Sequence, residues 1–381
     1  MKHGRWSVEK ANEWYRRQPW LVGCNFLPST AINQLEMWQA ESFDPATIGR
    51  ELGWAGDLGF NTVRVYLHDL VWSIDPVGFL ERIDRFLSIA DPHGIRTVFV
   101  LFDDCHFSEP RLGKQPDPIP GVHNSGWKQS PGEDIVLAFH DGSVAYQERV
   151  RLQGYVQGVL RRFADDKRVL MWDLYNEPGE RTLGDRTAEL LTEAWRWARE
   201  SDPSQPLTSA VDVRDHWARE KDGSQPSTAG VGKASRQCLT AIHESNSDVM
   251  TFHCYGSPEH VREWIEHMRV VGEGKPVVCS EYLLRHVGCL FQTHMPIFKK
   301  SHVGCISWGL VAGKSQTIWP WSSRTSKRGP HEAEPSVPPE QITGEPGIWF
   351  HDIFRVDGTP YDPQEVAFIR EITGRRPRGL N

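Results

Sequence analysis

Two glutamates stand at the ends of apolar runs. Glu177 closes Val169-Leu170-Met171-Trp172-Asp173-Leu174-Tyr175-Asn176 and is followed by Pro178, and Glu281 closes Pro276-Val277-Val278-Cys279-Ser280. The first run is rich in β-branched and aromatic residues without helical spacing of its polar positions, so it reads as a buried strand that delivers a carboxyl to its end. Pro178 stops it, because proline has no N–H to give to a ladder. For Glu177 alone, a solvated loop residue is the plainer alternative. A pair of carboxyls on facing strands has a chemistry of its own. Cleaving a glycosidic bond takes one carboxyl to protonate the leaving oxygen and a second to attack the anomeric carbon, about 5–5.5 Å apart for retention or about 6.5–9.5 Å for inversion.

Other polar groups gather at comparable places. Arg64 lies inside Asn61–Leu67, Asp103, Asp104, Cys105 and His106 follow Arg96–Phe102, and His253 and Tyr255 end Val249–Tyr255. Trp308 ends Val303–Trp308. One buried Arg is readable as a structural ion pair, but several ionisable groups at one end of a sheet are hard to explain as packing, since each buried charge costs several kcal/mol unless paired. The expected roles follow from charge. Glu177 is the acid and later the base, its protonated form favoured by the charge of Glu281. Glu281 is the nucleophile, held ionised by Arg64 and by the Tyr255 hydroxyl. Asn176 is placed to donate to a sugar 2-hydroxyl, His253 to orient Glu177 or line the site, and Trp308 to floor the sugar next to the nucleophile.

Three plainer questions sit beside these. Asp103, Asp104, His106 and His123 could ligate a divalent ion, yet adjacent Asp residues at a strand end more often anchor a loop or contact sugar hydroxyls, and no metal is expected. Trp38, Trp72, Trp127, Trp319 and Trp321 fall in expected loops on the active-site side, where flat faces suit sugar stacking; each is equally readable as loop core. Cys105 and Cys254 flank candidate residues and read as small buried hydrophobes.

The elements that must position these groups recur in a fixed rhythm. Asp44-Pro45 and Asp75-Pro76 each join an N-cap to a proline at the first helical position, and each is followed by apolar residues at helical spacing. Eight short apolar strands, nearly all followed by helical segments, predict a (β/α)8 TIM barrel whose active site lies at the C-terminal strand ends. A doubly wound sheet is the alternative, and it should show a Gly-rich phosphate loop after an early strand; none is present. One domain is expected over 1–381, with exposed insertions at 103–142, 221–233 and 309–347 and mobility over 322–339.

Composition narrows the classes further. The 381 residues are 39% hydrophobic and 24% charged, enough for a large core. A net charge of -7 with no long basic block excludes a nucleic-acid footprint. No apolar run of about 18 residues and no apolar leader appear, so neither a membrane span nor secretion is expected. Seven cysteines without paired metal-ligand spacing suit reduced thiols and a cytoplasmic location. The 16 tryptophans suit stacking on planar surfaces.

From Gly23 to Trp308 the chain resembles the clan A glycoside hydrolases, of the family 5 cellulase and mannanase type. The resemblance rests on Trp172 to Pro178 with its Asn176-Glu177-Pro178, on His253-Cys254-Tyr255 and on Ser280-Glu281-Tyr282. Arg64 and Trp308 match the family's strand-two arginine and strand-eight tryptophan. His106 is the counterpart of a strand-three histidine, in a departing Asp103-Asp104-Cys105 context. The resemblance implies a retaining β-glycosidase acting without cofactor on β-linked oligosaccharides of gluco, manno or xylo configuration. A non-catalytic sugar-binding barrel and a metal-dependent hydrolase are the alternatives. The sugar, the choice of exo or endo action and the oligomeric state are left open by the residues.

Overall fold

The computed structural model describes residues 4–107, 109–181, 183–210, 236–325, 334–335, 338, 341–342 and 344–375. Eight parallel strands follow one another: β1 (Val22–Asn25), β2 (Thr62–Tyr66), β3 (Arg96–Asp103), β4 (Val169–Asn176), β5 (Leu207–Ala210), β6 (Met250–His253), β7 (Val277–Glu281) and β8 (Gly304–Ser307). Their spatial order is β5-β4-β3-β2-β1-β8-β7-β6. The end strands β5 and β6 meet through the Thr208 and Thr251 hydroxyls at 2.7 Å and through the Asp248 N–H donating to the Leu207 carbonyl at 2.9 Å. This is the expected (β/α)8 barrel. β1 and β2 can close on each other because residue 23 is glycine, where a Cβ would sit 1.7 Å from the Thr62 carbonyl oxygen.

The helices start where the sequence puts their caps. Asp44 accepts from the Thr47 N–H, Asp75 from Gly78, Ser257 from His260 and Asp362 from Gln364, each just before a proline. The apolar faces they carry, such as Phe79, Ile83, Phe86 and Leu87, are buried against the strands. A smaller cluster including Val98, Met171, Val278 and Ile306 packs against Trp14 and Tyr15 of the first helix, Val8–Arg16. Most of its strand members lie in the first halves of their strands, so apolar packing takes the N-terminal end of the barrel and leaves the other end to polar groups.

Several expectations change. Segment 103–142 contains a helix, Glu133–His140, and buries Val122, Asn124, Gln129 and Ser130, whereas Glu109, Arg111, Gly113 and Lys114 are exposed, so only part of it projects. Trp38 is fully buried among Phe43, Phe79 and Phe86 and donates to the Tyr66 carbonyl at 2.7 Å. Trp72 packs on Tyr155. Trp38 is a core residue and Trp72 is half-buried against the core; they lie on the short helices Gln34–Trp38 and Asp69–Ile74. The expected insertion at 221–233 and most of 322–339 lie outside the described residues.

Candidate active site

Arg64 is the centre of the polar end. Fully buried on β2, it donates from Nε and Nη2 to Asp173 Oδ2 at 3.0 and 2.8 Å, from Nη2 to Asn176 Oδ1 at 2.7 Å, and from Nη1 to Asn25 Oδ1 and Glu281 Oε1, both at 2.9 Å. A register shift in the β4–β5 pairing between Asp173 and Asn176 lets two residues three apart face the same guanidinium. Glu281 also accepts from the Tyr66 hydroxyl at 2.9 Å on Oε1 and from the Tyr255 hydroxyl at 2.7 Å on Oε2. Tyr66, Asp173 and Asn25 were not singled out from the sequence. Tyr66 had a signal, since it lies two residues after Arg64 and so shares its face of β2.

Glu177 faces Glu281 across the barrel end. Its Oε1 lies 2.7 Å from His253 Nδ1, and the same nitrogen is 3.5 Å from Glu281 Oε2. One ligand atom of each of Glu177, His253 and Glu281 falls within 4.8 Å of the others. Both glutamates are buried, at 5% and 4% exposure. Glu177 has φ of 43°, a left-handed conformation that costs a non-glycine residue about 1–2 kcal/mol. Its surroundings hold it there. Asp104, fully buried, accepts from the Tyr175 hydroxyl at 2.6 Å, the Gly179 N–H at 2.7 Å and the Thr187 hydroxyl at 2.7 Å, tying down the turn after Pro178.

The strand-three cluster is structural in its contacts. Asp103 accepts from the Cys105 N–H and Asn176 Nδ2, both at 2.9 Å, from the Trp127 indole at 2.7 Å and from Gln34 Nε2 at 3.3 Å. His106 stacks on His123, with Trp127 at 6.1 Å, and its carbonyl accepts from Arg181. Trp127 and Trp308 lie 5.8 Å apart, and each makes an edge contact with Tyr66, which floors Glu281 with aromatic surface. Trp321 stands 5.2 Å from Tyr255, whereas Trp319 lines a separate cavity of about 430 Å³ with His286 and Ile348.

Burial dominates the electrostatics. It works against the Arg64 charge, but Tyr66, Asp173 and Glu281 outweigh it and raise the pKa. Burial raises the Glu281 pKa, His253, Arg64 and Tyr255 oppose it, and Glu177 adds to it. The contacts expected to keep Glu281 ionised are therefore present, and they offset a rise instead of producing a depressed pKa. Burial also pushes Asp103 up to about 7 and Asp104 up to about 6, against their donors. The spacing of Glu177, His253 and Glu281 would span a divalent ion, but the guanidinium 2.9 Å from Glu281 repels a second cation. The arrangement suits proton transfer by one carboxyl and nucleophilic attack by the other.

No family model and no curated protein sequence matches this chain. Solved structures match in fold. GH5_18 from Streptomyces cattleya, as a variant in complex with Manb1-4GlcNAc, aligns with a TM-score of 0.57 at 12% identity, over 94% of this chain and 82% of that one. The exo-beta-1,4-mannosidase of Opitutaceae bacterium strain TAV5 gives 0.57 at 17%, over 93% and 60%. The hyperthermostable endo-1,4-beta-D-mannanase of Thermotoga petrophila RKU-1 gives 0.54 at 17%, over 93% and 99%. In fold, this chain resembles the clan A glycoside hydrolases of the family 5 type.

Proposed function

We propose that this protein is a glycoside hydrolase that cleaves β-linked oligosaccharides with retention, by double displacement and without a cofactor. The observation that carries the reading is that one carboxylate oxygen of Glu177 and one of Glu281 lie within 4.8 Å of each other, which supports the shorter, retaining separation of the two. Glu177 protonates the leaving oxygen while Glu281 attacks the anomeric carbon, forming a glycosyl ester. Glu177, now a carboxylate, takes a proton from water as that water displaces Glu281.

The surrounding residues take roles that fit their contacts. Arg64, Tyr66 and Tyr255 stabilise the Glu281 carboxylate each time it is released. Asn176 has one amino contact to Asp103 and another, at 3.6 Å, to the weakly accepting Cys105 sulphur. That second proton is the one a sugar 2-hydroxyl would take. Trp308 and Trp127 offer apolar faces to the ring. Asp103, Asp104 and His106 shape the site from beneath and beside it. Because two of the fold neighbours are a beta-1,4-mannosidase and a beta-1,4-mannanase, β-mannosides are the first of the gluco, manno and xylo substrates to try. The seven free thiols support the reducing cytoplasm as its compartment.

The test is Glu281→Ala on aryl β-glycosides with and without azide. Recovery of a glycosyl azide of inverted configuration is expected, and failure to recover it removes Glu281 as nucleophile.

A further inference from the structure

The sulphur of Cys105 lies 2.7 Å from Glu177 Oε2, on the oxygen opposite the one that meets His253. Its backbone N–H is pinned to Asp103, and its sulphur also receives Asn176 Nδ2 at 3.6 Å. Asp103, Asn176, Cys105 and Glu177 thus form one connected chain of contacts. We propose that Cys105 is a positioning residue for the acid/base, its thiol donating a hydrogen bond to Glu177 Oε2 and fixing the plane of that carboxyl with His253 on the other oxygen. The proposal rests on the glycosidase reading for its consequence, not for the contact itself.

The choice of a thiol has a physical reason. Burial, together with Glu177 and Asp103, raises the Cys105 pKa well above the ordinary thiol range, so the partner is neutral. A neutral S–H is a weak donor. It orients the carboxyl while favouring the charged form only slightly, which suits a group that must hold a proton in one step and release it in the next. A hydroxyl donor would favour the carboxylate more strongly. The ionisable groups around the Cys105–Glu177 contact are His253 on β6, Glu281 on β7 with Arg64 behind it on β2, Asp103 at the end of β3, and Glu180 and Arg181 in the turn after β4.

The direct test reads the thiol. The S–H stretch of Cys105, identified in the infrared as the band lost in Cys105→Ala, is expected to move with pH as Glu177 titrates and to stay fixed in Glu177→Gln. A band that ignores pH in the wild type, or still moves in Glu177→Gln, overturns the proposal. Catalysis supplies the second arm. Cys105→Ala should lose about 3- to 10-fold in kcat/KM on glycosides with poor leaving groups and little on good ones. Cys105→Ser should retain more activity while moving the basic limb of the pH profile down. Equal losses on both substrate classes with an unmoved profile would indicate packing alone and sink the proposal. Wild-type protein that hydrolyses no glycoside yet shows a titrating band refutes the glycosidase reading and leaves the contact standing.

Discussion

Arg64 grips Asp173 with Nε and Nη2 at 3.0 and 2.8 Å, and this pairing turns its remaining edge toward Glu281. Both partners are fully buried. The ion pair is thus a bracket that aims a positive charge at Glu281. Arg64→Lys keeps the charge but cannot reach Asp173, Asn176 and Glu281 together. Arg64→Met, which leaves the buried Asp173 charge without its partner, should cost roughly 3–5 kcal/mol in a denaturant titration. Stability within 1 kcal/mol of wild type would mean that the bracket carries little of the fold.

In the proposed mechanism Glu281 must be ionised to attack, and its pKa is raised chiefly by burial. The acid limb of kcat/KM should therefore fall above the ordinary carboxylate range, activity being lost as pH drops through the raised pKa. Removing a donor to the charged form raises it further. Tyr66→Phe and Tyr255→Phe should each move the acid limb up and lower kcat/KM by about 10- to 100-fold, the worth of a hydrogen bond to a charged group. A limb that stays in place in both variants would show that neither hydroxyl supports the carboxylate.

Much of this arrangement was legible before the structure. Apolar runs mark all eight strands, Asp-Pro pairs mark helix starts, and the polar strand ends, with Arg64 inside the second run, point to Glu177, His253, Tyr255 and Glu281. What escaped has physical causes. Asp173 was hidden because strict alternation fails between it and Asn176, where the pairing register shifts. Trp38 and Trp72 are readable from the sequence either as loop core or as sugar-stacking faces, because short helices between strand and main helix leave too few residues for a periodic signal. Cys105 was read as a small hydrophobe, which its burial supports, but its distance to Glu177 depends on a turn beyond β3 where His106 adopts φ of 71°. No spacing rule predicts such a turn.

Glu177→Gln separates the two steps by leaving group. The amide cannot donate its proton as an acid, so substrates that need protonation should slow by about 10²–10⁴-fold. Aryl glycosides with good leaving groups form the glycosyl ester without that help and should be slowed much less at this step. Equal slowing of both classes in pre-steady-state measurements would assign Glu177 some other role.

Glu51 tests the weight of burial away from the active site. It sits in the helix Pro45–Asp57, fully inaccessible, and accepts from the Ser29 N–H and hydroxyl, with Arg50 3.6 Å away. Burial raises its pKa to about 7, while Ser29 and Arg50 pull down and Asp44 pushes up. The sign follows from linkage. A carboxyl whose folded pKa exceeds its unfolded value contributes stability that is fully present below the unfolded pKa and is lost as pH rises through the folded one. Asp103, Asp104 and Asp352 act in the same direction and His243 in the opposite one, so the wild-type curve alone is ambiguous. The difference between wild type and Glu51→Gln cancels them. That difference should change by on the order of 3 kcal/mol between pH 5 and pH 8, wild type gaining relative to the variant as pH falls. A flat difference would mean that Glu51 is ionised in the folded protein at both pH values, with Ser29 and Arg50 outweighing its burial.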